Sequence, residues 1–166
     1  TSALLNADVS ATNALSITTN NSLAISSGTT VSSSAGAVTL TSSTFTDDGT
    51  VSAHGDVTIQ GWQNLPMFTL TSTGTPGPIT STTGNITVSA LQYGGVTIDA
   101  PFTFNATTDG ASIRVIAYSN VLGVNQININ SANTFNTGDN ATVSFQDTYS
   151  GGVNLNATQT YNTGSN

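Results

Sequence analysis

Val96-Thr97-Ile98-Asp99 returns as Ile127-Asn128-Ile129-Asn130 and again as Val153-Asn154-Leu155-Asn156. Six residues past the second apolar position of each stands an aromatic between Thr and Asn: Thr103-Phe104-Asn105, Thr134-Phe135-Asn136 and Thr160-Tyr161-Asn162. An earlier triplet recurs with them, as Ile86-Thr87-Val88, Ile113-Arg114-Val115 and Val143-Ser144-Phe145. The later strand recurs after 31 and 26 residues, the earlier one after 27 and 30. Within each triplet two apolar residues flank a polar one. Successive side chains of a strand point to opposite faces, so the apolar pair turns inward and the polar residue outward.

A unit of this length, made of short strands and turns, describes one coil of a β-solenoid. Each strand pairs with its counterpart in the next coil, and the structure grows by stacking. The expected fold is all-β, a parallel β-helix. A β-sandwich with a donated strand shares the alternation and the turn spacing and is the alternative. The expected inward set is Ile86, Val88, Val96, Ile98, Ile113, Val115, Ile127, Ile129, Val143, Phe145, Val153 and Leu155. Asn105, Asn136 and Asn162 are expected to form an amide ladder, as are Asp99, Asn130 and Asn156.

The whole chain, 1–166, reads as a single repeat-built domain. Residues 84–166 hold the three clearer repeats, with further strands at 113–117 and 124–129. Residues 1–60 read as irregular coils, with strands at 15–17, 23–25, 38–40, 51–53 and 57–59. The tracts 26–36 and 71–84 read as loops. Residues 61–83 read as an excursion from the stack. They carry the sole Trp and Met, in Gly61-Trp62-Gln63-Asn64-Leu65-Pro66-Met67-Phe68, and then Gly74-Thr75-Pro76-Gly77-Pro78. Proline cannot donate to a central ladder. Trp62, Met67 and Phe68 are expected to pack this loop onto the rod.

Composition narrows the function. Only 5% of the residues are charged, there is no Lys, Glu or Cys, and the net charge is −7. An acidic chain with one Arg lacks the basic footprint that nucleic acid or an anionic membrane requires. No apolar run reaches the roughly 20 residues of a membrane-spanning helix. The 36% of hydrophobic residues at strand spacing set the chain apart from disordered Ser/Thr-rich tracts. It opens at Thr1 rather than Met, which reads as a processed or excised protein.

Gly84-Asn85-Ile86-Thr87-Val88, the run from Gly95 through Phe104-Asn105-Ala106, and Ile127-Asn128-Ile129-Asn130 resemble filamentous-haemagglutinin repeats. These are the repeats of two-partner-secretion adhesins and autotransporter passengers. The likeness covers 84–166 clearly. It extends more loosely over 9–60, on Leu15-Ser16-Ile17, Val38-Thr39-Leu40 and Gly55-Asp56-Val57-Thr58-Ile59-Gln60-Gly61. It implies a right-handed parallel β-helix, export to the cell surface and a role in adhesion.

No enzymatic constellation stands out. Ser52-Ala53-His54-Gly55-Asp56 reads as a surface turn rather than a nucleophile, base and acid. Scattered Asp residues make poor paired carboxylates. Asp47-Asp48-Gly49 and Asp109-Gly110 read as turns more than calcium loops. No catalytic residue, metal or cofactor is expected. Arg114 should face outward and pair with an Asp of a neighbouring coil. Asn20, Asn85, Asn105, Asn140 and Asn156 fit the N-glycosylation pattern. Thr39-Leu40-Thr41 and Thr44-Phe45-Thr46 begin a threonine row of the kind an ice-binding face needs.

The expected function is therefore that of an extracellular structural β-rod, a filament subunit and/or adhesin. Alternatives are a pilus or thread subunit joined by donor-strand exchange, and a soluble glycan- or ice-binding solenoid. The expected partners are other copies, end to end through Leu4, Leu5, Val9 and Tyr161, and glycans or proteins of a host or neighbouring cell surface.

Overall fold

The computed structural model describes residues 1–63, 65–92, 94–118, 127–148 and 151–164. Among them there is no helix; the chain runs strand to strand. The first coil is β1 (Ala3–Leu5), β2 (Val9–Ala11) and β3 (Leu15–Thr18); the second is β4 (Ser22–Ile25), β5 (Thr30–Ser33) and β6 (Val38–Ser42). Next come β7 (Thr44–Asp47), β8 (Thr50–Ala53) and β9 (Val57–Gly61), followed by β10 (Met67–Thr71), β11 (Ile79–Ser81) and β12 (Ile86–Ser89). The fifth coil is β13 (Gly95–Ile98), β14 (Thr103–Ala106) and β15 (Ser112–Ala117). The sixth is β16 (Ile127–Ile129), β17 (Thr134–Thr137) and β18 (Thr142–Asp147), and β19 (Val153–Leu155) and β20 (Thr160–Asn162) close the described stack.

Each coil gives one strand to each of three sheets. Sheet one is β1-β4-β7-β10-β13-β16-β19, sheet two β2-β5-β8-β11-β14-β17-β20, and sheet three β3-β6-β9-β12-β15-β18. Every strand pair within them is parallel, the arrangement of a parallel β-helix. This architecture is not the sandwich with a donated strand. The three repeats align in register as their sequences indicate. Ile98 pairs with Ile129 and Ile129 with Leu155, Phe104 with Phe135 and Phe135 with Tyr161, and Ile113 with both Ile86 and Val143.

The inward columns form one continuous core, in which Ile86, Val88, Val96, Ile98, Ile113, Val115, Ile127 and Ile129 are all fully buried. Val143 and Phe145 are partly buried against it. Val153 and Leu155 are exposed, because they stand on the outermost rung and no coil covers them. Through the core runs an aromatic stack. Phe104 and Phe135 lie 5.3 Å apart at 9°, and Phe135 and Tyr161 5.4 Å apart at 14°. Parallel in-register pairing puts like rings one strand spacing apart, which favours such offset stacks. Phe145 meets Phe135 edge-on at 5.7 Å.

Residues 61–83 do not leave the stack. β10 pairs with both β7 and β13, and β11 with both β8 and β14. Phe68 and Leu70 are core residues, whereas Trp62 and Met67 are partly exposed. The prolines are accommodated because they stand just outside the strands and serve as acceptors. Pro66 O takes the Gly95 N–H at 3.0 Å, and Pro78 O takes that of Val51 at 3.2 Å. Residues 1–60 are likewise regular, every strand paired with its counterpart in the next coil. The tract 26–36 contains β5, and 71–84 contains β11. The 124–126 part of the strand expected at 124–129 lies outside the described residues, while β16 forms at 127–129.

Coil length varies in the turns. Leu5 pairs with Ile25, 20 residues on, whereas Ile98 pairs with Ile129, 31 residues on. Strand register survives because the additional residues fall between strands rather than within them.

Candidate functional site

The outward positions of each sheet form rows along the stack. On sheet two the row is Ser10, Ser32, Ser52, Thr80, Asn105, Asn136 and Asn162. Sheet one carries Ser22, Thr44, Thr69, Thr97, Asn128 and Asn154. On sheet three stand Ser16, Thr39, Thr58, Thr87, Arg114 and Ser144. Hydroxyls in the first coils thus give way to amides on two of the three faces. Thr39 and Thr41 belong to sheet three, Thr44 and Thr46 to sheet one. The threonine row suggested by these two segments is therefore split between two faces.

The amides pair as their spacing implied. Asn136 Nδ2 donates to Asn105 Oδ1 at 2.6 Å, and Asn162 Nδ2 to Asn136 Oδ1 at 2.8 Å. In the neighbouring column Asn130 donates to Asp99 at 2.6 Å and Asn156 to Asn130 at 2.7 Å. Asn154 donates to Asn128 at 3.1 Å. A buried corner between sheets one and two adds another polar stack. There the Phe102 N–H donates to Asn133 Oδ1 at 2.9 Å, and Asn133 Nδ2 donates to Gln159 Oε1 at 3.1 Å. Asn136→Ala removes a donor to one coil and an acceptor for the next. It is expected to lower stability by about 1–2 kcal/mol, read as a fall in the urea midpoint with unchanged slope.

The acids staple coils together. Asp8 Oδ1 accepts from Thr30 N at 2.7 Å, Asp56 Oδ1 from Asn85 N at 2.7 Å, and Asp109 Oδ1 from Asp139 N at 3.1 Å. Asp48 is the most engaged. It accepts from the Ser72 and Thr73 hydroxyls, from Thr73 N at 2.9 Å and from Gly74 N at 3.0 Å. The Ser72 and Thr73 hydroxyls hold its carboxyl below the usual range. An Asp side chain is short enough to cap a turn N–H one rung away, which fits a chain whose acids are all Asp. The sequence marks Asp48, Asp56 and Asp109 as turn residues, and the structure adds that each caps the next coil.

Asp47 is different. It ends β7 beneath Ile25 and is fully buried. Its Oδ1 accepts from Gly49 N at 3.0 Å, and its Oδ2 has no partner. Gly49 approaches so closely that a Cβ there would meet Thr29 O at 2.4 Å. Burial pushes the Asp47 carboxyl up to about 7, against the lowering effect of the Gly49 N–H; neighbouring Asp48 adds to the rise. Asp47 is thus buried while Asp48 is engaged with the next turn.

Ser52, His54 and Asp56 do not assemble. Ser52 stands in its outward row, His54 Nδ1 lies 3.2 Å from Thr82 Oγ1, and Asp56 caps Asn85. Gly110 makes a left-handed turn at φ +76° beside Asp109. Arg114 faces outward as expected. It forms no ion pair among the described residues; its cross-strand neighbours are Thr87 and Ser144. Of the five sequon asparagines, Asn85, Asn105 and Asn156 use Nδ2 in hydrogen bonds. Asn20 and Asn140 are exposed, and Asn140 sits in a left-handed turn at φ +54°. Leu4 faces outward, 62% exposed, while Leu5 packs inward on the first rung. No protein-family model matches the chain, and neither does any curated protein or solved structure.

Proposed function

We propose that this chain is a non-catalytic structural rod of an extracellular surface, a filament subunit and/or adhesin of the filamentous-haemagglutinin kind. The observation that carries the reading is the condition of the outermost rungs. Val153, Leu155 and Tyr161 end the inward columns on the last paired strands, at 39%, 48% and 45% exposure. β18, β19 and β20 each pair on one side only, as do β1, β2 and β3 at the other end. An open parallel rung joins backbone donors and acceptors to an apolar column and takes up another coil readily. A second copy stacked end to end supplies that coil, and a heterologous contact of this kind continues into a fibre. Charge does not oppose it through Lys gatekeepers, since there are none.

The test is sedimentation velocity and negative-stain imaging of the purified chain. Elongated, concentration-dependent assemblies are expected, with little change between low and high salt, because one Arg cannot build an ion-paired contact. Leu155→Asp is expected to yield monomers that keep their β spectrum. Removing residues 1–10 is a weaker test, because it uncovers Leu23 and Ile25 of β4, another apolar rung. Monomers of the unaltered chain at high concentration would sink the filament reading and favour that of a rod segment in a longer adhesin.

A further inference from the structure

Among the described residues five large apolar side chains are exposed, and four of them, Leu4, Val153, Leu155 and Tyr161, lie on the outermost rungs. The fifth, Tyr118 at 41%, stands in the side of the rod, just beyond β15. With Leu91 and Gln92, which follow β12, it walls a groove of about 360 Å³ on the outer face of sheet three, whose floor includes Thr58, Gln60 and Thr87. We infer that this groove binds a neutral oligosaccharide, one sugar ring lying against Tyr118 with its hydroxyls toward Thr58, Gln60 and Thr87.

The wall is built rather than incidental. Tyr118 N donates to Gly94 O at 3.1 Å, in the isolated antiparallel bridge that interrupts an otherwise parallel fold. Ala90 N donates to Ile116 O at 3.1 Å and fixes the start of the Leu91–Gln92 turn to the next strand. Gly94 fits because it has no side chain; a Cβ would meet Leu65 O at 2.5 Å. Gln92 is held at φ +47°, a left-handed conformation that a non-glycine residue adopts at a cost. Such residues cluster at ligand clamps.

The chemistry of the lining selects the ligand. The floor is hydroxyl and amide without a formal charge. Gln60 donates from Nε2 to Thr41 Oγ1 at 3.0 Å, which orients the amide and leaves Oε1 as an acceptor. A sugar ring combines an apolar C–H face, which an exposed aromatic covers, with hydroxyls that donate to and accept from Thr and Gln. A peptide added as a strand needs a free sheet edge, whereas β9, β12 and β15 are each paired on both sides. An anionic ligand would need more than the single Arg of this chain. The inference stands apart from end-to-end stacking, since the groove lies on the flank of the rod.

The experiment is isothermal titration of the intact chain with β-linked hexasaccharides of glucose, xylose, mannose and N-acetylglucosamine. At least one is expected to bind, Tyr118→Ala to weaken it about tenfold, and Leu4→Ala, on another sheet, to leave it unchanged. Thr87→Val keeps the side-chain shape and removes the floor hydroxyl, so it supplies a second reading if Tyr118→Ala fails to fold. It too should weaken binding. Failure of all four sugars to bind overturns the inference, as does binding that both groove variants leave intact.

Discussion

Ile98→Asp is expected to abolish folding. Ile98 is fully buried at the end of β13, between Leu70 of the preceding coil and Ile129 of the next. The substitution forfeits roughly 2–3 kcal/mol of apolar burial. It also places a carboxyl where the backbone groups of both neighbouring strands are already paired. An unpaired buried charge, or the protonation that avoids it, costs several kcal/mol more. Together these approach the roughly 5–15 kcal/mol that holds an ordinary domain. The same change removes a rung from the middle of a column, so coils on both sides lose their partner. Ile98→Val, which keeps the column, should cost only about 0.5–1.5 kcal/mol. Far-UV circular dichroism and urea titration of the two variants check this, and a β spectrum with an unmoved midpoint in Ile98→Asp would refute the register.

The second large effect concerns Asp47, the buried acid that the fold does accept. Its carboxyl is raised from 3.8 to about 7 in the folded chain. The folded state therefore holds a proton that the unfolded state has lost between about pH 4 and 7. Stability from this group is fully present below the unfolded value and is lost as pH rises through 7. The span corresponds to roughly 4 kcal/mol. Asp48 acts in the opposite sense, being held below its usual range. Its contribution is present above that range and disappears only on further acidification, so the two windows separate. Asp47→Asn keeps the shape and removes the charge. It should flatten the profile between pH 4 and 7 and raise the urea midpoint at pH 8. A wild-type midpoint that climbs from pH 4 to 7, or an Asn variant with the same slope, would contradict the assignment.

The stack from residue 84 onward was legible because both inward positions of its strands on sheets one and three carry large apolar side chains, as in Ile86/Val88 and Val96/Ile98. β5 and β11 escaped because their second inward residue is serine. Ser33 and Ser81 are buried, yet neither is unsatisfied. Ser81 donates to Gly55 O at 2.8 Å and accepts from Gly84 N at 2.9 Å across the turn, and Ser33 bonds Asn13 O and Gly36 N in the same way. A polar residue at a corner thus reads as loop in sequence while it fills a core position. β10 was hidden by its prolines, whose missing donors matter only inside a strand. The amide columns could be foreseen because identical residues recur in identical phase. The groove at Tyr118 could not, since Leu91, Gln92 and Tyr118 fall between repeats and come together only through the Gly94 bridge.

The amide columns also have a direction. At the foot of one column Asp99 Oδ1 accepts from Asn130 Nδ2, and Asn130 presents its own oxygen upward. Asn156 then repeats the orientation. In the column from Thr80 through Asn105, Asn136 and Asn162, each N–H likewise points toward the N-terminal end. The rod is thus a vector, with side-chain oxygens leading toward its C-terminal end. A coil that settles on Asn156 and Asn162 has to bring donors, and a second C-terminal end offers only oxygens. Under the end-to-end stacking proposed above, two rods joined through these columns would meet in the same polar sense, and the two ends of the assembly would be distinguishable.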